Sequence, residues 1–183
     1  MKIATIGRGN IGGGLGDFWE KAGHDVTRLG KEGGDVSEAD VVLVAVPGGA
    51  IAAALDEVTG LEGKTVIDAT NLIGAERPSG FNSNAEYVKS KTGGPTAKSF
   101  NLNFAAAYDR LGQTQSRPSN VWTGDEEARG VVEQLTRDAG YEPVYAGGLE
   151  NARMQEDSLA LLFSINRAGA GPVFYRFAPA DDF

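Results

Sequence analysis

The sequence contains no cysteine among its 183 residues and only one histidine, His24. Without cysteine the chain forms no disulfide bond, and this favours a reducing, cytoplasmic location. A single histidine with no thiols also leaves too few soft ligands for a zinc or iron site. These absences predict a cytoplasmic protein without a bound metal.

Long apolar runs and excess positive charge are absent as well. No apolar run approaches the roughly 20 residues that a membrane-spanning helix needs. The chain has 17 Lys and Arg against 25 Asp and Glu, a formal net charge of −8, and no basic patch stands out. Such a charge repels nucleic acid and anionic membranes. We expect one soluble domain with its own core, which binds neither nucleic acid nor membrane.

Glycine, by contrast, is abundant, and three glycines near the N terminus have a recognisable spacing. Gly7, Gly9 and Gly12 form G-x-G-x-x-G between the apolar run 3–6 and an amphipathic segment at 11–22. In a strand-turn-helix context the first glycine permits the tight turn. The second lets a pyrophosphate approach the backbone, and the third lets the helix pack on the strand. The alternative is that these glycines only relieve crowding between helix and sheet.

Apolar runs and amphipathic segments alternate along the rest of the chain. Strands are predicted at residues 3–6, 25–29, 40–46 and 65–69, with weaker candidates at 97–100, 120–123 and 143–145. Further helices are predicted at residues 50–58, 84–91, 125–139 and 149–167. This alternation predicts an α/β fold, a Rossmann-type doubly wound parallel sheet. Residues 30–39 are too few for a full crossover helix, so the usual second helix should be one turn or absent.

The end of the second predicted strand favours NADP over NAD. An NAD site usually carries a carboxylate there, whereas an NADP site supplies positive charge for the 2′-phosphate. Here Arg28 and Lys31 surround the strand end, and Arg8 lies inside the glycine turn. Glu32 argues against this assignment. Arg28 and Lys31 would also suit a solvated surface.

Three other segments follow predicted strands, at the edge where open sheets of this class bind ligands. These segments are Val46-Pro47-Gly48, Ala69-Thr70-Asn71 and Phe100-Asn101-Leu102-Asn103. We expect the first two to border the nicotinamide, and Phe100, Asn101 and Asn103 to line the substrate pocket. Each asparagine would equally suit a role in capping its loop.

Candidate proton donors are few. The last predicted helix has no lysine at 150–158, where dehydrogenases of the β-hydroxyacid type use one as acid-base catalyst. His24 precedes the second strand and is expected on the surface at the opposite edge. Tyr108, Tyr145 and Asp157 remain as possible donors, although each suits a structural role better. This inventory favours a hydride transfer that needs little help from a proton.

Five segments together resemble the NADPH-dependent reductases of the deazaflavin coenzyme F-420 and the small NADP-binding oxidoreductases similar to them. The segments are Ile3 to Gly12, Asp40 to Pro47, Gly63 to Asn71, Ala97 to Asn101 and Gly148 to Arg153. The resemblance covers almost the whole chain. It implies a homodimer and direct hydride transfer from NADPH to a deazaflavin, without an essential acid-base side chain.

The resemblance also implies a division of the chain and a set of site residues. Residues 1–147 would form the NAD(P)-binding Rossmann domain, and residues 148–183 a closing C-terminal helix and tail. By position, the pyrophosphate would face Gly9, Asn10 and Ile11, and the 2′-phosphate would lie near Lys31. The nicotinamide half would be bordered by Val46, Pro47 and Asn71.

The C-terminal segment itself suggests a dimer. Residues 159–165 are apolar on nearly every side of a helix, and the tail at 173–177 is largely aromatic. Both surfaces must be covered. We therefore expect a homodimer built on residues 148–183, whose tail helps to form the substrate pocket. The alternative is a helix that packs wholly under the loops of its own subunit.

Three functions are compatible with the sequence. The leading hypothesis is hydride transfer between NADPH and a conjugated acceptor, with coenzyme F-420 as first candidate. The second is NADPH-dependent reduction of a small ketone or imine, with Tyr108 or Asp157 as proton donor. The third is a module that binds NADPH and signals to a partner without turnover.

Overall fold

The computed structural model of the protein describes residues 1–73 and 76–182, and strands alternate with helices along them. The strands are β1 (Lys2–Ile6), β2 (Asp25–Leu29), β3 (Gly34–Asp35), β4 (Val41–Val44), β5 (Val58–Thr59), β6 (Thr65–Asp68), β7 (Thr96–Lys98), β8 (Ser119–Gly124) and β9 (Glu142–Tyr145). The α-helices are α1 (Asn10–Lys21), α2 (Ile51–Asp56), α3 (Asn84–Thr92), α4 (Arg129–Asp138) and α5 (Ala152–Ile165). Among the described residues, none of these helices has the length and hydropathy that a bilayer span requires.

The main sheet has seven strands in the order β2-β1-β4-β6-β7-β8-β9. Neighbouring strands run parallel except for β7 and β8, which are antiparallel. The order places β1 and β4 side by side, so the chain turns to opposite sides of the sheet after these two strands. That is the topological switch point at which doubly wound sheets bind their ligands. The predicted Rossmann-type doubly wound α/β fold is therefore confirmed.

Both faces of the sheet are covered, and this explains why the central strand is apolar throughout. Val41 and Leu43 belong to one core cluster, which also holds Trp19 of α1. Val42 and Val44 belong to a second cluster on the other face, packed by α2 and α3. A strand covered on both sides gains burial at every position, whereas a strand with one wet face would alternate.

The crossover between β2 and β4 contains no α-helix in the described structure, as its length predicts. It holds instead the two residues of β3, which pair with β5 in a separate two-stranded sheet. Gly33 has a φ of +66°, and the N–H of Gly34 donates to Glu57 O at 3.1 Å. Through this short pairing, backbone N–H and C=O groups of the crossover form the hydrogen bonds that a crossover helix would otherwise provide.

Several element boundaries differ from the prediction. The strand expected at 40–46 is shorter, and the helix expected at 50–58 ends early because Val58–Thr59 pairs as β5. The helix expected at 149–167 begins with a short 3-10 turn and ends in a π-helical turn at Asn166–Ala170. The three weaker strand candidates all form strands of the main sheet. Element type was therefore predictable, and element length was less so.

The tail after α5 packs back on the rest of the chain. The N–H of Ser119 donates to Tyr175 O at 2.8 Å, and the N–H of Phe177 donates to Ser119 Oγ at 2.8 Å. Phe174 packs against the core cluster that holds Trp19. The tail therefore covers the start of β8 in the same chain.

A buried ionic cluster joins α5 to the sheet. Lys98, the last residue of β7, places its Nζ 2.8 Å from Asp68 Oδ2 and 3.0 Å from Glu156 Oε1. The side chains of Lys98 and Asp68 are fully buried, and that of Glu156 is 3% exposed. Nζ also donates to Thr70 O at 2.5 Å. Because buried charges need partners, this lysine fixes where α5 docks.

We predict that Lys98→Met lowers the free energy of unfolding by about 3–5 kcal/mol, because it leaves buried Asp68 without its cation and leaves Glu156 with only Arg77, 3.5 Å from its other oxygen. Methionine keeps most of the side-chain volume, so the loss reports charge rather than packing. Lys2→Met is the control. It breaks a pair with Glu38 in which the two side chains are 56% and 86% exposed, and it should cost under about 1 kcal/mol. Urea denaturation at neutral pH measures both, and equal losses would contradict the prediction.

Candidate functional site

The carboxyl end of β1 runs into a glycine turn that begins α1. Gly7 has a φ of +104°, and a Cβ there would stand 2.3 Å from Ala45 O. At Gly12 a Cβ would stand 2.0 Å from Gly7 O, so the helix rests directly on the turn. Neither position can hold a side chain unless the backbone moves. These two glycines therefore have the steric roles that the sequence predicts for them.

Gly9 is different, because the space above it is open. A Cβ on Gly9 would meet no described atom within 4 Å. Gly9 is the N-cap residue of α1, and no side chain of the described residues caps this helix end. Arg8 and Asn10 on either side are exposed, and Ile11 packs towards the core, leaving its backbone at the turn. The free N–H groups and the helix dipole thus face an open space that suits an anion.

The loops after β4 and β6 lie beside this turn. A Cβ on Gly7 would be 3.2 Å from Val46 Cγ1, which places Val46 against the turn. A Cβ on Gly48 would be 2.5 Å from Asn71 O, so the two loops touch. Pro47, between Val46 and Gly48, is exposed. The structure thus brings together the glycine turn, Val46, Pro47, Gly48 and Asn71 at one edge of the sheet.

An amide chain fixes the far wall of this edge. Asn71 Nδ2 donates to Asn101 O at 2.7 Å, and Asn101 Nδ2 donates to Asn71 Oδ1 at 3.1 Å. Gln155 Nε2, from α5, donates to Asn101 Oδ1 at 2.7 Å. Gln155 is only 2% exposed and also donates to Val121 O at 3.0 Å. The helix thereby holds both asparagines in one orientation.

Sequence reasoning missed Gln155 and its neighbour Glu156. A signal was present, because both lie on the helix face that carries Ala152 and Leu159, at the spacing of a buried stripe. Two polar residues on the buried face of a helix require buried partners. The partners are the asparagine pair for Gln155 and Lys98 for Glu156.

Two predicted pocket residues do not line the open edge. Phe100 is fully buried, and its ring packs edge-on against Trp19 with centroids 5.9 Å apart. Its φ of +61° is unusual for a bulky residue, and its N–H donates to Asn120 Oδ1 at 3.0 Å. Asn103 Nδ2 donates to the same oxygen at 2.9 Å. Phe100 therefore belongs to the core, and Asn103 is committed to a buried partner.

The candidate proton donors lie elsewhere. Tyr108 packs against α1, where a Cβ on Gly14 would be 2.6 Å from its ring, and burial raises the pKa of its hydroxyl. Asp157 pairs with Arg153 at 2.6 Å and Arg77 at 3.1 Å, and the Arg153 hydrogen bond lowers the pKa of its carboxyl. Asp157 is therefore ionised at neutral pH and has no proton to donate. The roles suggested for Tyr108 and Asp157 are not supported by these placements.

His24 lies at the amino end of β2, and Tyr145 lies on β9, the edge strand farthest from β2, so neither is near the glycine turn. Tyr145 ends β9 and stacks on Trp122, with ring centroids 4.5 Å apart. The expectation that His24 lies on the surface is wrong, because its side chain is only 6% exposed. Its Nε2 lies 2.9 Å from Asp138 Oδ2. Both residues therefore have structural roles.

The three cations near the end of β2 have different surroundings. Arg28 lies across α1, with Nη1 2.6 Å from Glu20 Oε1 and Nη2 2.8 Å from Asp17 Oδ1. The hydrogen bond to Arg28 lowers the pKa of the Glu20 carboxyl. Arg8 pairs with Glu32 at the strand end, and Lys31 is exposed there. Arg28, which the sequence suggested as a phosphate ligand, is already held by two carboxylates.

Comparison with solved structures supports the fold. A candidate F420-dependent NADP reductase from Arthrobacter sp. FB24 superposes with a TM-score of 0.80 at 20% identity, covering 98% of this chain and 100% of that chain. A reductive aminase from Aspergillus terreus in complex with NADPH and ethyl levulinate superposes with a TM-score of 0.68 at 16% identity, covering 92% and 62%. Mycobacterium tuberculosis 3-hydroxyisobutyrate dehydrogenase with L-serine gives a TM-score of 0.64 at 16% identity, covering 91% and 63%.

The chain spans just under two thirds of the length of the aminase and of the dehydrogenase, and the full length of the Arthrobacter protein. At these identities the likeness establishes a shared fold. No family model and no curated protein matches the sequence.

Proposed function

We propose that the chain is an NADP(H)-binding oxidoreductase that transfers hydride between NADPH and a conjugated acceptor. The observation that carries this proposal is the open space above Gly9, in front of an uncapped helix end at the switch point of the sheet. The fold it shares with an NADPH-bound aminase and with a candidate F420-dependent NADP reductase supports the proposal.

The residues at this edge fit a dinucleotide in three parts. The pyrophosphate would meet the backbone of Gly7, Arg8, Gly9, Asn10, Ile11 and Gly12. The 2′-phosphate would contact Arg8 and Lys31, whereas Arg28 is ion-paired with two carboxylates of α1. The nicotinamide half would lie along Val46, Pro47, Gly48 and Asn71, with Asn101 behind it. This assignment keeps all the predicted cofactor residues except Arg28.

Bound NADPH would supply the hydride, and the protein would mainly bind and orient. Asn71 and Asn101 satisfy each other's amides, and Gln155 locks the pair, so they form a rigid wall rather than a proton relay. Of the side chains suggested as proton donors, the Tyr108 hydroxyl is buried, Asp157 is ionised, and Tyr145 stacks on Trp122 away from the glycine turn. A conjugated acceptor, which accepts hydride without a protein proton, suits this edge best.

The deazaflavin coenzyme F-420 is our leading candidate for that acceptor. Reduction of a small ketone or imine would need a proton donor, and neither Tyr108 nor Asp157 is placed to be one. A cytoplasmic location remains the prediction of the cysteine-free sequence.

For the cofactor, we predict that NADPH binds more tightly than NADH in calorimetric titration. Lys31→Gln should weaken NADPH about ten-fold, because a charged hydrogen bond contributes about 1.5–3 kcal/mol, and should leave NADH nearly unchanged. Arg28→Gln is the control and should change neither affinity by more than about two-fold, since Asp17 and Glu20 hold that side chain. Equal affinities for the two nucleotides, or tighter NADH, would rule out the NADP assignment.

For the reaction, we predict that NADPH absorbance at 340 nm falls when protein and oxidised coenzyme F-420 are mixed. Gly9→Ala should abolish this turnover while the protein still folds, because the added methyl group enters the open space and touches no described atom. A small ketone or imine with an amine, tested in parallel, should react far more slowly. A protein that binds NADPH but reduces none of these acceptors would favour the signalling module.

We further propose that the chain forms a homodimer through residues 148–183. Two apolar side chains of α5, Leu161 at 64% and Ile165 at 38%, remain exposed although the helix docks on its own sheet. Phe177 in the tail is 59% exposed. A second copy would cover these surfaces. The anchored tail argues against a tail that reaches into the partner's pocket, so we assign the contact to α5.

The dimer predicts a sedimentation mass of twice the chain mass of 19.2 kDa at micromolar concentration. Leu161→Glu should weaken the dimer at least about ten-fold, since it places a charge in an apolar contact, without harming the folded subunit. Ile73→Glu, at a residue that is 66% exposed outside this segment, is the matched control and should leave the mass unchanged. A wild-type mass of one chain would exclude the dimer.

A further inference from the structure

Arg8 and Glu32 form an ion pair across the ends of β1 and β2. Arg8 Nη1 lies 3.1 Å from Glu32 Oε1, and Arg8 Nη2 lies 3.5 Å from Glu32 Oε2. A Cβ on Gly30 would stand 2.4 Å from Glu32 Oε2 and 2.7 Å from Arg8 Cζ. The pair therefore lies directly over Gly30, where a side chain would displace the two ion-paired groups from their present positions.

This pair occupies a specific part of the proposed cofactor site. In folds of this class the end of the second strand holds the adenosine ribose, and a carboxylate there accepts a hydrogen bond from the ribose 2′-hydroxyl. Glu32 is such a carboxylate, two residues beyond Gly30 and next to Lys31. The same guanidinium that would bind a 2′-phosphate is thus already bound to a carboxylate.

The carboxylate at this position is firmly ionised. The N–H of Glu32 itself, then the charge of Arg8 and the N–H of Gly30, lower the pKa of the Glu32 carboxyl below its ordinary value. Its side chain is 60% exposed, so the charge is solvated but present throughout the neutral range. A 2′-phosphate brought to Arg8 would therefore stand beside a second anion.

We propose that Glu32 sets the cofactor preference of this site, by holding Arg8 in the free protein and by opposing the 2′-phosphate in the complex. This inference rests on the proposed function. Binding of NADPH requires Arg8 to exchange Glu32 for the phosphate, whereas NADH leaves the pair in place and offers a hydroxyl to the carboxylate. The chain therefore discriminates between the two nucleotides less than Arg8 and Lys31 alone would allow.

The test is Glu32→Gln, titrated with NADPH and with NADH at 50 mM salt. We expect NADPH to bind about three- to ten-fold more tightly, because repulsion and competition for Arg8 are both removed. NADH affinity should stay the same or fall. The gain for NADPH should shrink in 0.5 M salt, where charges this exposed are screened.

Two further variants separate this explanation from a general charge effect. Glu62→Gln removes an exposed carboxylate just before β6, at the opposite edge, and should change neither affinity. In an Arg8→Gln background, Glu32→Gln should increase NADPH affinity by less than half as much as in the wild-type background, because no guanidinium remains to be freed. Thermal melting of each variant checks that the fold is intact.

The outcomes distinguish this inference from the cofactor proposal. A wild-type chain that binds neither nucleotide overturns the cofactor proposal, and the role of Glu32 with it. Suppose instead that both nucleotides bind, and that the ratio of NADPH affinity to NADH affinity in Glu32→Gln lies within two-fold of the wild-type ratio. This result overturns only the role of Glu32. An equal gain in NADPH affinity in Glu62→Gln would show a distant charge effect and would also overturn the role of Glu32.

Discussion

The close approach of α1 to the turn that follows β1 is the constraint on which the candidate site depends. Gly12 lies on the carbonyl of Gly7, and Gly7 lies on the carbonyl of Ala45, so two strands and a helix meet without an intervening side chain. Because they meet so closely, the uncapped helix end points across the ends of β1 and β4. A side chain at either glycine would tilt the helix and move its dipole away from the switch point.

A second constraint is the burial of polar groups between α5 and the sheet. Glu156 reaches Lys98 at the end of β7, and Gln155 reaches Asn101 in the loop that follows this strand. Apolar packing alone would tolerate a small slide of α5, whereas these partners are lost if the helix moves by a fraction of a turn. The polar contacts thus determine the position of the helix.

The fold was largely readable from the sequence, and the directions of individual side chains were not. Apolar runs and the glycine spacing predict the strands, α1 and the short second crossover, because burial on two faces leaves a strong pattern. The position of Arg28 at the strand end suggests a phosphate ligand, whereas the alternation of side chains along β2 decides which face of the sheet it takes. Val26 faces the α1 side, so Arg28, two residues on, faces α1 as well. The burial of Phe100 could not be predicted, because a positive φ in a bulky residue has no sequence signal.

The core on the α1 side of the sheet also determines what the protein's intrinsic fluorescence reports. The chain has two tryptophans, and both Trp19 and Trp122 are fully buried in the same cluster. Trp19 donates its indole N–H to Leu135 O at 2.9 Å, which links α1 to α4. Emission from both indoles therefore follows the packing of α1 and α4 and carries little information on α2 and α3. An unfolding curve followed by tryptophan fluorescence therefore reports on the α1 side of the sheet.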